Sequence, residues 1–236
     1  MSLSDTSAWT VRSSVQTTFR IGYESFTPFF IAALLFSAPA FVLEMRGVEG
    51  LPKHAVGLAG NIATYIAILC GALNALDEHP LGVQATLWQV NRPALPGLLA
   101  LCVAQSLAIV LGALLVVPAL YLMTLWAVAV PAMLVEGTGV GDSLRRSAEL
   151  TDGRRWRVLG ATAVCLLVVT LLFGAESALL SAVPIAAERS TLQSILQWLL
   201  AGAAAAFVYP LSAVLYVALR QESEGGTIAQ IVGTLD

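Results

Sequence analysis

The stretch GLLALCVAQSLAIVLGALLVVPALYLMTLWAVAVPAMLV, residues 97–135, decides the fold: 39 consecutive residues without a charged side chain. An α-helix rises 1.5 Å per residue, so a hydrocarbon core of roughly 30 Å takes about 20 residues. Thirty-nine residues are too long for one tilted helix and suit two. Val117-Pro118 is the natural break, because proline is tolerated as the first residue of a helix, where its missing N–H would be unpaired anyway. The sequence predicts spans over 96–117 and 118–135 joined by a very tight turn.

Working outward, four more segments meet the same length test: 26–43, 55–76, 157–180 and 194–219. The chain of 236 residues is 58% hydrophobic and 11% charged, with a mean hydropathy of +0.82. An ordinary soluble domain is roughly 25% charged. The composition excludes a soluble monomer and the disordered, collagen-like and disulfide-scaffold classes. The expectation is an all-α polytopic membrane protein with six transmembrane helices in a single membrane domain over 1–220, followed by a polar, loosely ordered tail over 221–236. Cys70, Cys102 and Cys165 lie inside apolar stretches, where a thiol acts as a small hydrophobe. Nothing in the charge pattern points to nucleic acid.

Orientation follows from Lys and Arg in the connecting loops. With six spans, Arg12, Arg20, Arg92, Arg145, Arg146, Arg154, Arg155, Arg157 and Arg220 share one side, nine in all, against Arg46, Lys53 and Arg189 on the other. The expected location is the bacterial inner membrane with both termini cytoplasmic. A cleaved signal peptide ending near Ser37-Ala38-Pro39-Ala40 is the competing reading of the first span. The 25 residues before it carry no basic cluster at their start and read as an amphipathic helix, so a retained signal-anchor fits better.

That amphipathic segment, an interfacial helix over 8–25, places Val11, Val15, Phe19, Gly22 and Phe26 at helical spacing with polar residues between. Val83, Leu87, Val90 and Ala94 repeat the pattern before the third span, at an offset of 68 that also brings Pro28 onto Pro96. A weaker third copy places Leu144, Ala148 and Thr151 before the fifth span, with Asp142 as cap and Gly153 as terminator. The implied architecture is three units, each an interfacial helix plus a transmembrane hairpin. Even crossings make the repeats parallel, whereas many transporters use inverted ones.

The most distinctive segment is residues 136–160, EGTGVGDSLRRSAELTDGRRWRVLG, preceded by Pro131-Ala132-Met133-Leu134-Val135. Arg145, Arg146, Arg154, Arg155 and Arg157, with Trp156 among them, form a candidate dock for lipid headgroups or a partner protein. Each basic residue near an anionic membrane contributes about 1 kcal/mol. Asp142, Glu149 and Asp152 offset part of this, and a topogenic anchor without a ligand is the competing role. An apolar span ending in Pro-x-x-x-x-Glu-Gly, then Leu-Arg-Arg-Ser-x-Glu-Leu-Thr-x-Gly-Arg-Arg-Trp-Arg entering the next span, resembles the bacterial glycerophosphoryl diester phosphodiesterase membrane-domain family and related six-span proteins. The resemblance implies a membrane domain whose hydrolysis, where a member has it, belongs to a separate soluble domain. The longest non-membrane stretch here, 137–156, is too short for one.

No catalytic, cofactor or metal constellation is legible. His54 and His79 fall on opposite sides in this topology, and Asp77-Glu78-His79 has no second cluster to complete a metal centre. Glu176 lies about 30 Å from Trp156 along its helix, which predicts a hydrated carboxylate near the far headgroups. Asn61, Asn74 and Gln105 suit bonds between helices. Gly202 and Ala206, four apart, let backbones approach closely, within the monomer or against a partner. The expected function is non-enzymatic: a scaffold, assembly component or binder of membrane lipids and a membrane-protein partner. A transporter of a small solute or lipid is the alternative.

Overall fold

The computed structural model describes residues 10–76, 96–97, 100–104, 116–181 and 186–224. Among them the chain is helical, without strands. The helices are α1 (Val11–Glu24), α2 (Phe26–Met45), α3 (Leu51–Leu76), α4 (Val116–Leu125), α5 (Ala129–Glu136), α6 (Val140–Thr151), α7 (Arg155–Ser181), α8 (Ala186–Val208) and α9 (Pro210–Glu224). Four are long and apolar enough to cross a membrane: α2, α3, α7 and the continuous α8–α9 stretch. The expected second interfacial helix with its repeat, and most of the span over 96–117, lie outside the described residues, as do Arg92, the Asp77–His79 cluster, Gln105 and the tail from Gly225.

The first three long helices form over the apolar stretches that predict them, and α2 and α3 pack antiparallel. Small residues set the α2–α3 hairpin. A Cβ at Gly60 would run into the Phe36 carbonyl, and one at Gly57 would sit 3.8 Å from the Ala40 methyl. α8 packs on the other side of α2, where Trp198 Nε1 donates to Ser37 Oγ (2.8 Å) and its ring stacks on Phe41 with centroids 4.4 Å apart. Gly202 lies against Phe30 and Leu34 of α2, and Ala206 is fully buried, so this small-residue face packs inside the monomer.

Two spans expected to be continuous are broken, each by a proline. Residues 118–135 divide into α4 and the buried, 8-residue α5, with a turn over Trp126–Val128 between them. Pro131 has no N–H for the Ala127 carbonyl, so an unbroken helix would lose a bond there. The last span bends at Tyr209, because Pro210 cannot donate to the Ala206 carbonyl. That freed carbonyl faces α1. A Cβ at Gly22 would stand 3.0 Å from the Ala206 oxygen and 2.7 Å from the Phe207 ring, so only glycine permits this approach.

The two amphipathic helices bury small polar residues beside their apolar stripes, of which Gly22 and Thr151 are buried as well and Val11, Val15 and Leu144 pack partly buried against the core. α1 buries Ser14, Thr18, Ile21 and Gly22, and α6 buries Ser143, Ser147, Leu150 and Thr151. Both carry the same small-polar arrangement, with Thr18 Oγ1 donating to the Ser14 carbonyl and Thr151 Oγ1 to the Ser147 carbonyl, each at 2.8 Å. A threonine bonded back into its own helix presents little unmet polarity, and its small volume lets a neighbouring helix come close. α1 opens on a capping box between Thr10 and Ser13. α6 opens at Gly139 rather than at Asp142, which sits in the first turn, where a carboxylate favours the helix dipole.

Candidate functional site

The end of the bundle where α7 begins and α9 finishes collects most of the charge. α6 lies there, held by two sets of bonds. Its inner face carries Ser147, whose hydroxyl donates to the Leu125 carbonyl (2.8 Å) and accepts from the Val128 N–H (3.3 Å). One side chain thereby satisfies two of the backbone groups at the α4–α5 break. The next residue back, Arg146, turns the other way. Its Nε donates to Glu136 Oε1 (3.0 Å) and its Nη2 to Glu224 Oε1.

From there the bonds run on. Tyr216 Oη donates to Glu136 Oε1 (3.0 Å), Arg220 Nη1 donates to Tyr216 Oη (2.9 Å), and Arg220 Nε pairs with Glu224 Oε2 (2.9 Å). Beside this ring Glu222 is gripped from both sides, by Arg154 Nε at 3.0 Å and Arg157 Nη2 at 3.1 Å. Arg155 reaches Asp152 (3.3 Å) and the Tyr121 hydroxyl (2.8 Å), with its guanidinium 4.9 Å above the Tyr121 ring. Arg145 points outward and meets only its helix neighbours Asp142 and Glu149.

The electrostatics follow from these pairs. Burial pushes the Arg146 guanidinium down, but the hydrogen bonds it donates to Glu224 and Glu136 outweigh that and hold it above the ordinary arginine range. Six guanidinium groups, Arg220 included, face six carboxylates: Glu136, Asp142, Glu149, Asp152, Glu222 and Glu224. The basic surface legible in residues 136–160 is therefore neutralised by its own Glu136, Asp142, Glu149 and Asp152 together with Glu222 and Glu224 of α9. Residues 221–224, expected to be loose tail, continue α9 and carry the decisive Glu222 and Glu224. Sequence reading missed both because their partners lie 65 to 78 residues away.

One signal was available. Arg155 and Arg157 open α7, and Glu222 and Glu224 close α9, so each set sits against its own helix dipole, at about 0.3–1 kcal/mol per charge. Charges placed so badly locally need a partner elsewhere, and here the two sets supply each other. Trp156, between the paired arginines, is 85% exposed. The dock residues thus share one end of the fold, but only Arg145 and Trp156 project freely outward.

Elsewhere, Asn61 Oδ1 accepts from Tyr209 Oη (2.6 Å) and Tyr65 Oη donates to Ser212 (3.0 Å), both between α3 and the α8–α9 bend. Glu176 differs from its expected hydrated setting: both carboxylate oxygens are covered and unpartnered. The three cysteines are buried and form no disulfide with one another. Among the described residues no three His, Cys, Asp or Glu side chains gather as metal ligands. Comparison with protein-family models, with curated proteins and with solved structures finds no match.

Proposed function

We propose that the chain is a non-enzymatic integral membrane protein that acts by binding membrane lipids and a membrane-protein partner, as a scaffold or assembly component. The observation that carries this reading is the outward apolar surface. Only 11% of the most apolar stretch of α2 and 17% of that of α7 is buried, against 44% for α3. Although α2 packs against α3 and α8, Ile31, Leu35 and Val42 on it and Val164, Leu166, Leu167, Leu171 and Leu172 on α7 are exposed, an apolar surface open to lipid or to another helix.

In this reading the chain crosses the bacterial inner membrane six times, the residues over 96–135 supplying the third and fourth spans, with both termini in the cytoplasm. The excess of arginine at the α7 entry supports that orientation. The likeness of Pro131–Gly160 to the glycerophosphoryl diester phosphodiesterase membrane-domain family supports a membrane domain that binds rather than hydrolyses. A transporter is the second reading, favoured by the helix breaks at Trp126–Val128 and Tyr209 and by the Asn61–Tyr209 bond within the spans.

Native mass spectrometry of the protein extracted in mild detergent separates them. A polypeptide or lipid retained at fixed stoichiometry supports the binding reading. A bare monomer that moves solutes across proteoliposomes would replace it with transport.

A further inference from the structure

We propose that Arg154 and Arg157, with Trp156 between them, form a binding site for the phosphate of an anionic phospholipid, and that Glu222 is its built-in competitor. The inference rests on the lipid-binding reading above and gives it a place and a regulation. The two guanidinium groups already hold an anion: Glu222 Oε2 lies 3.0 Å from Arg154 Nε, and Oε1 lies 3.1 Å from Arg157 Nη2. Guanidinium forks match phosphate oxygens by the same geometry that matches carboxylate oxygens. Glu222 is reached by solvent, its side chain 25% exposed, so its carboxylate can swing off the two guanidinium groups by a change of rotamer. The occupant can therefore leave without disturbing the core.

The surroundings suit a lipid rather than a free phosphate. Arg154 and Arg157 stand at the mouth of the 27-residue apolar α7, the depth at which headgroups lie. Trp156 presents its ring outward at that level, as interfacial tryptophans do. Further along α7, beyond Gly160, which packs against Val11 of α1, and the buried Ala161, Val164, Leu167 and Leu171 are exposed and fall within one face of the helix, an apolar track for an acyl chain. A headgroup phosphate at the arginines and a chain along this track describe one ligand in one pose.

The test uses the full-length protein in nanodiscs, titrated with phosphatidylglycerol, with phosphatidylcholine and with inorganic phosphate, and read by native mass spectrometry. Glu222→Gln removes the carboxylate that both guanidinium groups hold and should bind phosphatidylglycerol about thirty-fold more tightly than the wild type, the factor equivalent to about 2 kcal/mol. Glu222→Asp, which keeps the charge and shortens the reach, should fall between. Adding Arg154→Gln and Arg157→Gln to Glu222→Gln should abolish the gain. Phosphatidylcholine, whose choline cancels the phosphate charge, should show little change. Equal binding of phosphatidylglycerol by the wild type and both Glu222 variants overturns the proposal, as does an equal gain for inorganic phosphate, which would make the ligand a free anion. A wild type that keeps a partner polypeptide while Glu222→Gln gains no lipid sinks this site alone. A wild type that retains nothing and transports solutes sinks the scaffold reading instead.

Discussion

Ser14 and Ser147 occupy matching positions in two helices, each four residues before a threonine bonded to its carbonyl, and both are buried. Their hydroxyls differ. Ser147 Oγ donates to the Leu125 carbonyl and accepts from the Val128 N–H, whereas Ser14 Oγ has no partner. Replacing Ser147 by alanine orphans two buried backbone groups, each bond being worth about 0.5–1.5 kcal/mol net and more when the abandoned group stays dry, so the loss is about 2–3 kcal/mol. Replacing Ser14 by alanine removes an unsatisfied oxygen and should leave stability unchanged or raise it by up to about 1 kcal/mol. The buried thiols Cys70, Cys102 and Cys165 are internal reporters: a thiol-reactive fluorophore labels them as detergent-solubilised protein unfolds on heating. At about 2–4 °C per kcal/mol for a chain of this size, Ser147→Ala lowers the midpoint by about 4–12 °C. Equal shifts in the two variants would refute the claim that Ser147 closes the helix break.

Three further substitutions test separate parts of the fold. Gly22→Ala should lower the same midpoint, because the new methyl meets the Ala206 carbonyl and Phe207, an overpacking cost of about 1–3 kcal/mol, while Gly174→Ala, which meets nothing within 4 Å, should raise it by up to about 1 kcal/mol through helix propensity. Glu176→Leu should stabilise the protein by about 1–3 kcal/mol, since two covered and unpartnered oxygens disappear; a loss of stability would mean that a partner or ion satisfies them. Replacing Arg154, Arg155 and Arg157 together by glutamine should leave Glu222 without its pairs and weaken the charge bias at the α7 entry. Cysteine labelling near Asp152 and Gly50 should then report mixed orientation of α7, where the wild type reports opposite sides for the two positions; uniform wild-type labelling in the triple variant rejects a topogenic role.

The long helices were legible because each is one uninterrupted run of apolar residues, and such a run states its own length. α2 over Phe26–Met45 and α7 over Arg155–Ser181 stay within two residues of their expected ends. The breaks were less legible. Pro118 was weighed as a helix start, whereas Pro131 and Pro210 disturb the spans that contain them, and deciding which proline a helix absorbs depends on what can take up the freed carbonyl. At the first break Ser147, 16 residues beyond Pro131, bonds the neighbouring Leu125 carbonyl and Val128 N–H. On α1 and α6 apolar spacing marks Gly22 and Thr151, which are buried, but not Ser14, Thr18 and Ser147 beside them, which close packing admits because the threonines bond to their own backbones. The charge cluster fared similarly. The arginines and their local partners declare themselves within residues 136–157, but Glu222 and Glu224 complete the pairing, and no local pattern carries a contact across that distance.

α6 carries both findings on adjacent residues, and this couples them. Ser147 holds the α4–α5 break, while Arg146 holds Glu136 at the far end of the 8-residue α5. α5 is therefore pinned to α6 at its first turn through the Val128 N–H and at its last through Glu136. Gly137, in the left-handed conformation, closes the helix by donating to the Met133 carbonyl. A helix this short has too few internal bonds to stand alone, so its order comes from its two attachments. If they act as one unit, Glu136→Gln, which weakens a bond to a charged group worth about 1.5–3 kcal/mol, should speed amide exchange at Val128, some 12 Å away along α5, by about ten-fold. Hydrogen exchange read by mass spectrometry on peptides covering 125–135 measures this in nanodiscs. Faster exchange confined to 134–137, with Val128 unchanged, would show that the break and the charged cluster open independently.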